Sequence, residues 1–352
     1  MTTRKAAKTQ GTMHHHSTKT YGLDIGYGNT KITDGDTHIV FPSVAAHAHH
    51  IKFQADIISG KYPGEELSDN DGEWFIGDLA IKQAPIKQRI RLQGRNANGQ
   101  FDMAFRLRMM YSALAKIAPH QNGEVLHVKI ATGLPVDHME DAHLMKQAMI
   151  GQHRIKTNNA DFIANVSDCI VMPQPYGTIY GEMITEIGEL NHYHTASRTA
   201  VVDIGQYTLD CALDNDGEYI DAESGSLESG VYTAIERITA IFAAEFRQNP
   251  THDQIEKLLR TGFVMISGEM VDYTHHVKEA LRPLRDGVLN LMGRLWGTAV
   301  HIDLILLCGG GVTFVEEGVL QNYPQARVVL NPQVSNAIGY LRYAFFDARQ
   351  PK

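Results

Sequence analysis

A strand–turn–strand unit that occurs twice constrains this chain more than any other feature. The first copy is YGLDIGYGNTKIT, an apolar strand that enters the Gly-rich turn of residues 24–31 and leaves as a second strand. The second copy, TAVVDIGQYTLDCALD, repeats the design about 180 residues later, with Asp203 where the first has Asp24. Duplication at so long a period gives two similar α/β lobes rather than a solenoid. A chain of 352 residues has room for both.

Composition narrows the function classes. A hydrophobic fraction of 43% with 20% charged residues is that of a soluble globular protein. No apolar run approaches the roughly 20 residues that span a bilayer, so no membrane role is expected. A net charge of −8 argues against direct, sequence-specific DNA binding. The basic run of Lys82, Lys87, Arg89, Arg91, Arg95, Arg106 and Arg108 reads as a solvated face. Cys169, Cys211 and Cys308 are widely spaced in apolar surroundings, as core thiols of a reducing cytoplasm are. Residues 1–19 are polar and basic without an apolar stretch, which predicts a disordered arm rather than a secretory signal. Its triplet His14, His15 and His16 belongs to that arm.

Further elements follow from periodicity. Apolar spacing from Phe101 to Ile117 predicts a helix, and a second is expected after VLHVKIATGLPV with Asp137 as its cap. Residues 47–99 read as an irregular insertion with one apolar island, EWFIGDLAI. Trp74, Phe75 and Ile76 in it suit either a small core or an exposed contact. Helical pieces are expected from Asp253 to Trp296. The polar stretch NHYHTASRT puts the lobe boundary near residue 195.

Chemistry concentrates at three glycine turns. In DIGYGNTK, Gly26 and Gly28 allow backbone N–H groups to face an anion, with Tyr27 between them. Asn29 and Thr30 add side-chain donors, Lys31 a cation, and Asp24 an oxygen for hydrated Mg²⁺. DIGQYTLD offers Asp203, Gly205, Gln206, Tyr207 and Thr208 in the same order. CGGGV places Gly309, Gly310 and Gly311 between an apolar strand and a helix. No G-x-x-x-x-G-K-[ST] loop occurs, and no GxGxxG follows a strand.

The set DIGYGNTK, VMPQPYG, VVDIGQYTLD, LLCGGGV and SNAIGYL resembles the nucleotide-site motifs of the actin/Hsp70/sugar-kinase superfamily. Within it the chain resembles the ParM/StbA group of plasmid-segregation actins over about residues 20–345. The resemblance implies an α/β actin-like fold, two duplicated ribonuclease-H-like lobes around a nucleotide cleft. Lobe I would span residues 20–194 with a small subdomain at 45–100, and lobe II residues 195–330 with a helical subdomain at 235–295. Residues 331–352 would return to lobe I.

The same resemblance implies ATP and Mg²⁺ as ligands. Asp24 would hold the metal through water, Lys31 the phosphates, and Asp203 would be the second metal-linked carboxylate. Gly205, Gln206 and Thr208 would surround the β- and γ-phosphates, and the glycine triplet the α-phosphate and ribose, with Val312 near the adenine. Glu223 and Glu236 are candidates for the ribose. ParM-type proteins carry a glutamate where this chain has Gln174, whereas actins carry glutamine. A neutral amide orients water but accepts a proton poorly, so Gln174 is expected to place the water and Asp203 to take the proton. The implied function is a slow, assembly-stimulated ATPase of the cytoplasm that self-assembles into filaments and segregates plasmid DNA through a separate adaptor protein. The alternative is a small-molecule, sugar-type kinase on the same fold, with a chaperone fragment third.

Overall fold

The structure, a computed structural model, describes residues 18–51, 65–92, 102–118, 123–192 and 196–351. The expected N-terminal arm up to residue 17, its histidine triplet, Arg95 and the boundary near residue 195 lie outside the described residues.

Two sheets form the two halves. In the first, β1 (Lys19–Ile25) pairs antiparallel with β2 (Asn29–Thr33) and parallel with β3 (Val125–Leu134). β4 (Asp161–Pro173) lies parallel on the far side of β3. Central position explains why β1 and β3 read as near-continuous apolar runs instead of alternating ones. The helix at Met103–Ile117 covers one face, with Phe105, Met109 and Met110 buried in the core.

The stretch expected to be irregular instead extends this sheet. Glu65–Asp69 pairs with Gly151–Thr157 and Gly72–Ile76, and Val44–His47 continues beyond them. Trp74, Phe75 and Ile76 are 3%, 0% and 1% exposed, so they form core and not a contact surface. Part of the basic run turns inward with them. Arg106 is buried, and Arg108 lies 3.7 Å over the Trp74 ring while donating to Asp69 at 2.6 Å. A paired, stacked guanidinium can be buried where the charge count alone suggested a solvated face.

In the second half, β5 (Arg198–Ile204) pairs antiparallel with β6 (Leu209–Asn215) and parallel with β7 (Leu304–Cys308). Ala200, Val202, Leu209 and Leu307 share one apolar core with Phe242, Leu284 and Trp296. The last two are on a long helix, Thr274–Trp296. Helix does not run unbroken to it from Asp253. A hairpin, Phe263–Ile266 with Glu269–Asp272, intervenes after the helix His252–Thr261. Its turn residues Ser267 and Gly268 have φ of 48° and 87°, the two positive values that a tight hairpin turn requires. A 3-10 turn at Val136–Asp141 likewise replaces the expected cap at Asp137, and the helix starts at Ala142.

Three helices position the cleft. α1 (Tyr176–Met183) follows β4, and α2 (Val231–Phe246) opens directly on the second Gly-rich turn. α3 (Ser335–Asp347), the last element, crosses α1 and packs on β1 and β3 of the first half. All three cysteines are buried and free, and no described helix is long and apolar enough to cross a membrane.

Candidate functional site

Between the halves lies a cleft of about 680 Å³. On one wall the first turn is closed by Gly26 N–H donating to Asn29 O at 3.1 Å, with Lys31 directly opposite Asp24 in the β1–β2 register. Lys31 Nζ donates to Asp24 Oδ2 at 2.7 Å. Burial would lower the Lys31 ammonium, but the adjoining Asp24 carboxylate outweighs it and holds the group charged. Asp24 is 2% exposed and lies behind Lys31, which itself faces the cleft beside Gly26, Tyr27, Gly28 and Asn29.

The second turn copies the first. Gly205 N–H donates to Thr208 O at 2.9 Å, and Asp203 stands opposite Asp210 in the β5–β6 register. Asp203, Gly205, Gln206, Tyr207, Thr208 and Asp210 all line the cleft. Burial pushes the Asp203 carboxyl up to about 6; Asp210 adds to the push, Lys31 opposes it, Asp24 adds again, and an Asn336 hydrogen bond opposes it. Asp210 is also raised by burial, against hydrogen bonds from Ser226 and from Thr208 at 2.8 Å. The two turns touch. A side chain at Gly28 would collide with Gln206 of the other half.

The glycine triplet closes the floor. Gly309 has φ of 89°, and any Cβ there would strike Asp203 and the Ile204 carbonyl. All three glycines border the cleft, and Gly311 N–H donates to Ile204 O at 2.9 Å. Gln174, at the end of β4, enters from the first half. Its Nε2 donates to Asp24 Oδ1 at 3.3 Å.

Five candidates do not line the cleft: Asp24, behind Lys31, and four that turn away from it. Thr30 is fully buried and its hydroxyl is bonded to Ser43 at 2.9 Å, because strand alternation turns it away from Asn29 and Lys31. Val312 is 1% exposed in the core of the second half, since the chain dives inward after Gly311. Glu236 is exposed on α2, one position past Ile235, which shares the cleft side with Val231 four residues earlier. Glu223 is occupied by Arg198 at 2.7 Å and His301 at 2.6 Å.

Other groups entered the site without being assigned a role from sequence. Asp210 faces Asp203, Arg91 reaches the cleft from an edge strand of the first sheet, and His252, Ile255, Glu256 and Leu259 border it from one helix. Asn336 Nδ2 donates to Asp203 Oδ2 at 2.9 Å. The SNAIGYL motif held the signal for Asn336, but only the fold brings it to Asp203.

Among the described residues, no group of three or more His, Cys, Asp or Glu side chains is arranged to hold a metal alone. Mg²⁺ is ordinarily held by one or two carboxylates with waters and phosphate oxygens, and this donor set suits that mode. The mutual repulsion of Asp203, Asp210 and Asp24 is what a cation would relieve.

Known proteins share this fold over nearly the whole chain. Residues 22–177 match the family of actin-like proteins, N-terminal domain, and residues 201–321 match the archaeal actin homologue MreB-like C-terminal family. An archaeal actin homologue of Thermoplasma volcanium is 25% identical over 329 residues, covering 91% of this chain and 96% of its own. A crystal structure of an archaeal actin homologue in complex with ADP is similar at a TM-score of 0.73 and 21% identity, covering 92% of this chain and 98% of that one. The ParM subunit of a 15-stranded filament from Clostridium botulinum gives 0.72 and 20%, covering 93% and 98%. With one actin-like family matched in each half and two touching Gly-rich turns between them, the chain has the actin-like fold.

Proposed function

We propose that this chain binds ATP with Mg²⁺ in the cleft, hydrolyses it slowly, and assembles into nucleotide-dependent filaments that segregate plasmid DNA through a separate adaptor. The observation that carries the reading is the meeting of two copied turns, one presenting a fixed cation and the other a titratable carboxylate. Gly26, Gly28, Asn29 and Lys31 hold phosphates from the first half; Gly205, Gln206, Tyr207 and Thr208 hold them from the second. Gly309, Gly310 and Gly311 give close backbone approach below. Asp24 and Asp203 are the carboxylates that would reach Mg²⁺ through water. The ion, when bound, offsets charge on the phosphates.

Gln174 orients the attacking water by its amide, and Asp203 accepts the proton. A carboxyl raised to about 6 suits a base working near neutral pH. The amide cannot itself take the proton, which keeps turnover slow. The ADP-bound archaeal homologue and the ParM filament support nucleotide binding and assembly.

A filament needs a heterologous contact that does not close on itself. Phe263, Met265 and Met270, on one face of the second half's hairpin, are 40%, 46% and 54% exposed and suit such a contact. The charge of −8 favours a separate DNA adaptor, and three free, buried cysteines suit a reducing cytoplasm. Sedimentation of the purified chain with ATP, ADP and a non-hydrolysable analogue tests the reading. Pelleting with ATP and the analogue, lost with ADP, is expected. Soluble monomer in all three states at high micromolar concentration would rule out the filament.

A further inference from the structure

Two side chains one turn apart on α3 reach the Asp203 carboxylate and the main chain of Gln174, from opposite halves of the molecule. Asn336 Nδ2 donates to Asp203 Oδ2 at 2.9 Å, and the Tyr340 hydroxyl donates to the main-chain carbonyl of Gln174 at 3.2 Å. Their four-residue spacing puts both on one helix face. Asp203 is next to last in a strand of the second half, and Gln174 directly follows a strand of the first.

The Asn336 amide has a fixed orientation. Its Oδ1 accepts from the Thr178 backbone N–H at 3.1 Å and the Thr178 hydroxyl at 2.8 Å. A backbone N–H only donates, so the oxygen faces Thr178 and the nitrogen faces Asp203. Thr178 lies in α1, four residues after Gln174, so this contact also anchors the helix that follows the water-orienting residue. Close packing makes the reach possible. A Cβ at Gly177 would collide with Asn336 and Tyr340, and one at Gly133 would strike the Tyr340 hydroxyl. Asn336 is 6% exposed and Tyr340 0%.

We propose that α3 is an alignment bar, with Asn336 and Tyr340 as positioning residues that fix the main chain carrying Gln174 relative to the Asp203 carboxylate across the lobe boundary. This rests on the reading that Gln174 orients water and Asp203 accepts its proton. Burial keeps the Tyr340 phenol neutral and donating at all working pH values. The Asn336 amide holds Asp203 Oδ2 against α3 and so fixes the rotation of that carboxylate.

The test is single-turnover hydrolysis of ATP·Mg²⁺ by the full chain from pH 5 to 9, with ATP affinity and melting temperature measured alongside. Asn336→Ala and Tyr340→Phe should each slow the chemical step about tenfold while ATP affinity stays within about twofold. Asn336→Asp keeps the shape but sets a carboxylate against Asp203 Oδ2, and should slow the step at least as much, again with ATP affinity nearly unchanged. Because Tyr340→Phe keeps the packing, it covers the case in which Asn336→Ala does not fold.

Folded variants with an unchanged rate would overturn the proposal. So would a rate loss matched by an equal loss of ATP affinity and a lowered melting temperature, the mark of a purely structural contact. If Asp203→Asn hydrolyses ATP like the parent, the underlying reading fails instead.

Discussion

The turns at residues 24–31 and 203–210 share a length, a strand–turn–strand frame and the same closing hydrogen bond, yet they differ at their last position. In the first, Lys31 stands across the strand pair from Asp24 and bonds it at 2.7 Å. In the second, the same register puts Asp210 across from Asp203, carboxylate against carboxylate. The first turn is thereby locked as an ion pair with a cation facing the cleft. The second carries a carboxyl pushed up to about 6. In the function proposed above, one duplicated backbone supplies a phosphate-binding arm and a proton-accepting arm, and the eighth residue of the motif decides which is which.

The largest expected effect comes from removing the base. Asp203→Asn should lower single-turnover ATP hydrolysis by about 10²-fold or more, since a general base contributes about 10²–10⁴. Binding of a fluorescent ATP analogue should persist. Loss of binding with hydrolysis in proportion would show that the second turn only holds phosphate.

Lys31→Met attacks the other arm. It leaves Asp24 buried beside apolar surroundings without its cation, a loss of about 3 kcal/mol in stability. Phosphate contact from a charged donor is worth about 2 kcal/mol, so affinity for ATP should fall by roughly 30-fold. Urea unfolding and nucleotide titration read the two effects separately. An unchanged affinity would take Lys31 out of the site.

How much of this contrast the sequence could reveal depends on distance along the chain. The turns were legible because glycine and polar residues interrupt apolar strands locally, and the strand registers then follow from the tight turns. Thr30 was misread because donor chemistry was counted without the alternation that turns it to Ser43. Val312 was misread because its place depends on where the chain goes after Gly311. Asn336 could not be assigned at all. It meets Asp203 from 133 residues away, through a helix crossing that no local pattern encodes. The hairpin at residues 263–272 was missed for a different reason. Its Ser-Gly turn was visible, but apolar residues on both sides imitated helical spacing.

Smaller shifts sharpen the comparison. Asp210→Asn removes the carboxylate opposite Asp203, so the acid limb of the hydrolysis profile should move down by about one pH unit. The folded-state carboxyl of Asp203 lies above its unfolded value, so its ionisation is a penalty absent below about pH 4 and complete above about pH 6. Asp203→Asn should therefore stabilise the nucleotide-free chain at pH 7.5 by about 1 kcal/mol, after allowing for solvent on the cleft wall. The gain should vanish at pH 4. Thermal unfolding at both pH values measures it, and equal gains at the two would mean that Asp203 is unperturbed.

The most direct test of the division between the two turns is a ¹³C NMR titration of the aspartate carboxyls in the nucleotide-free protein. One carboxyl titrating near 6, and missing from Asp203→Asn, is the expected result. Asp203 titrating near 4 alongside ordinary surface aspartates would contradict it.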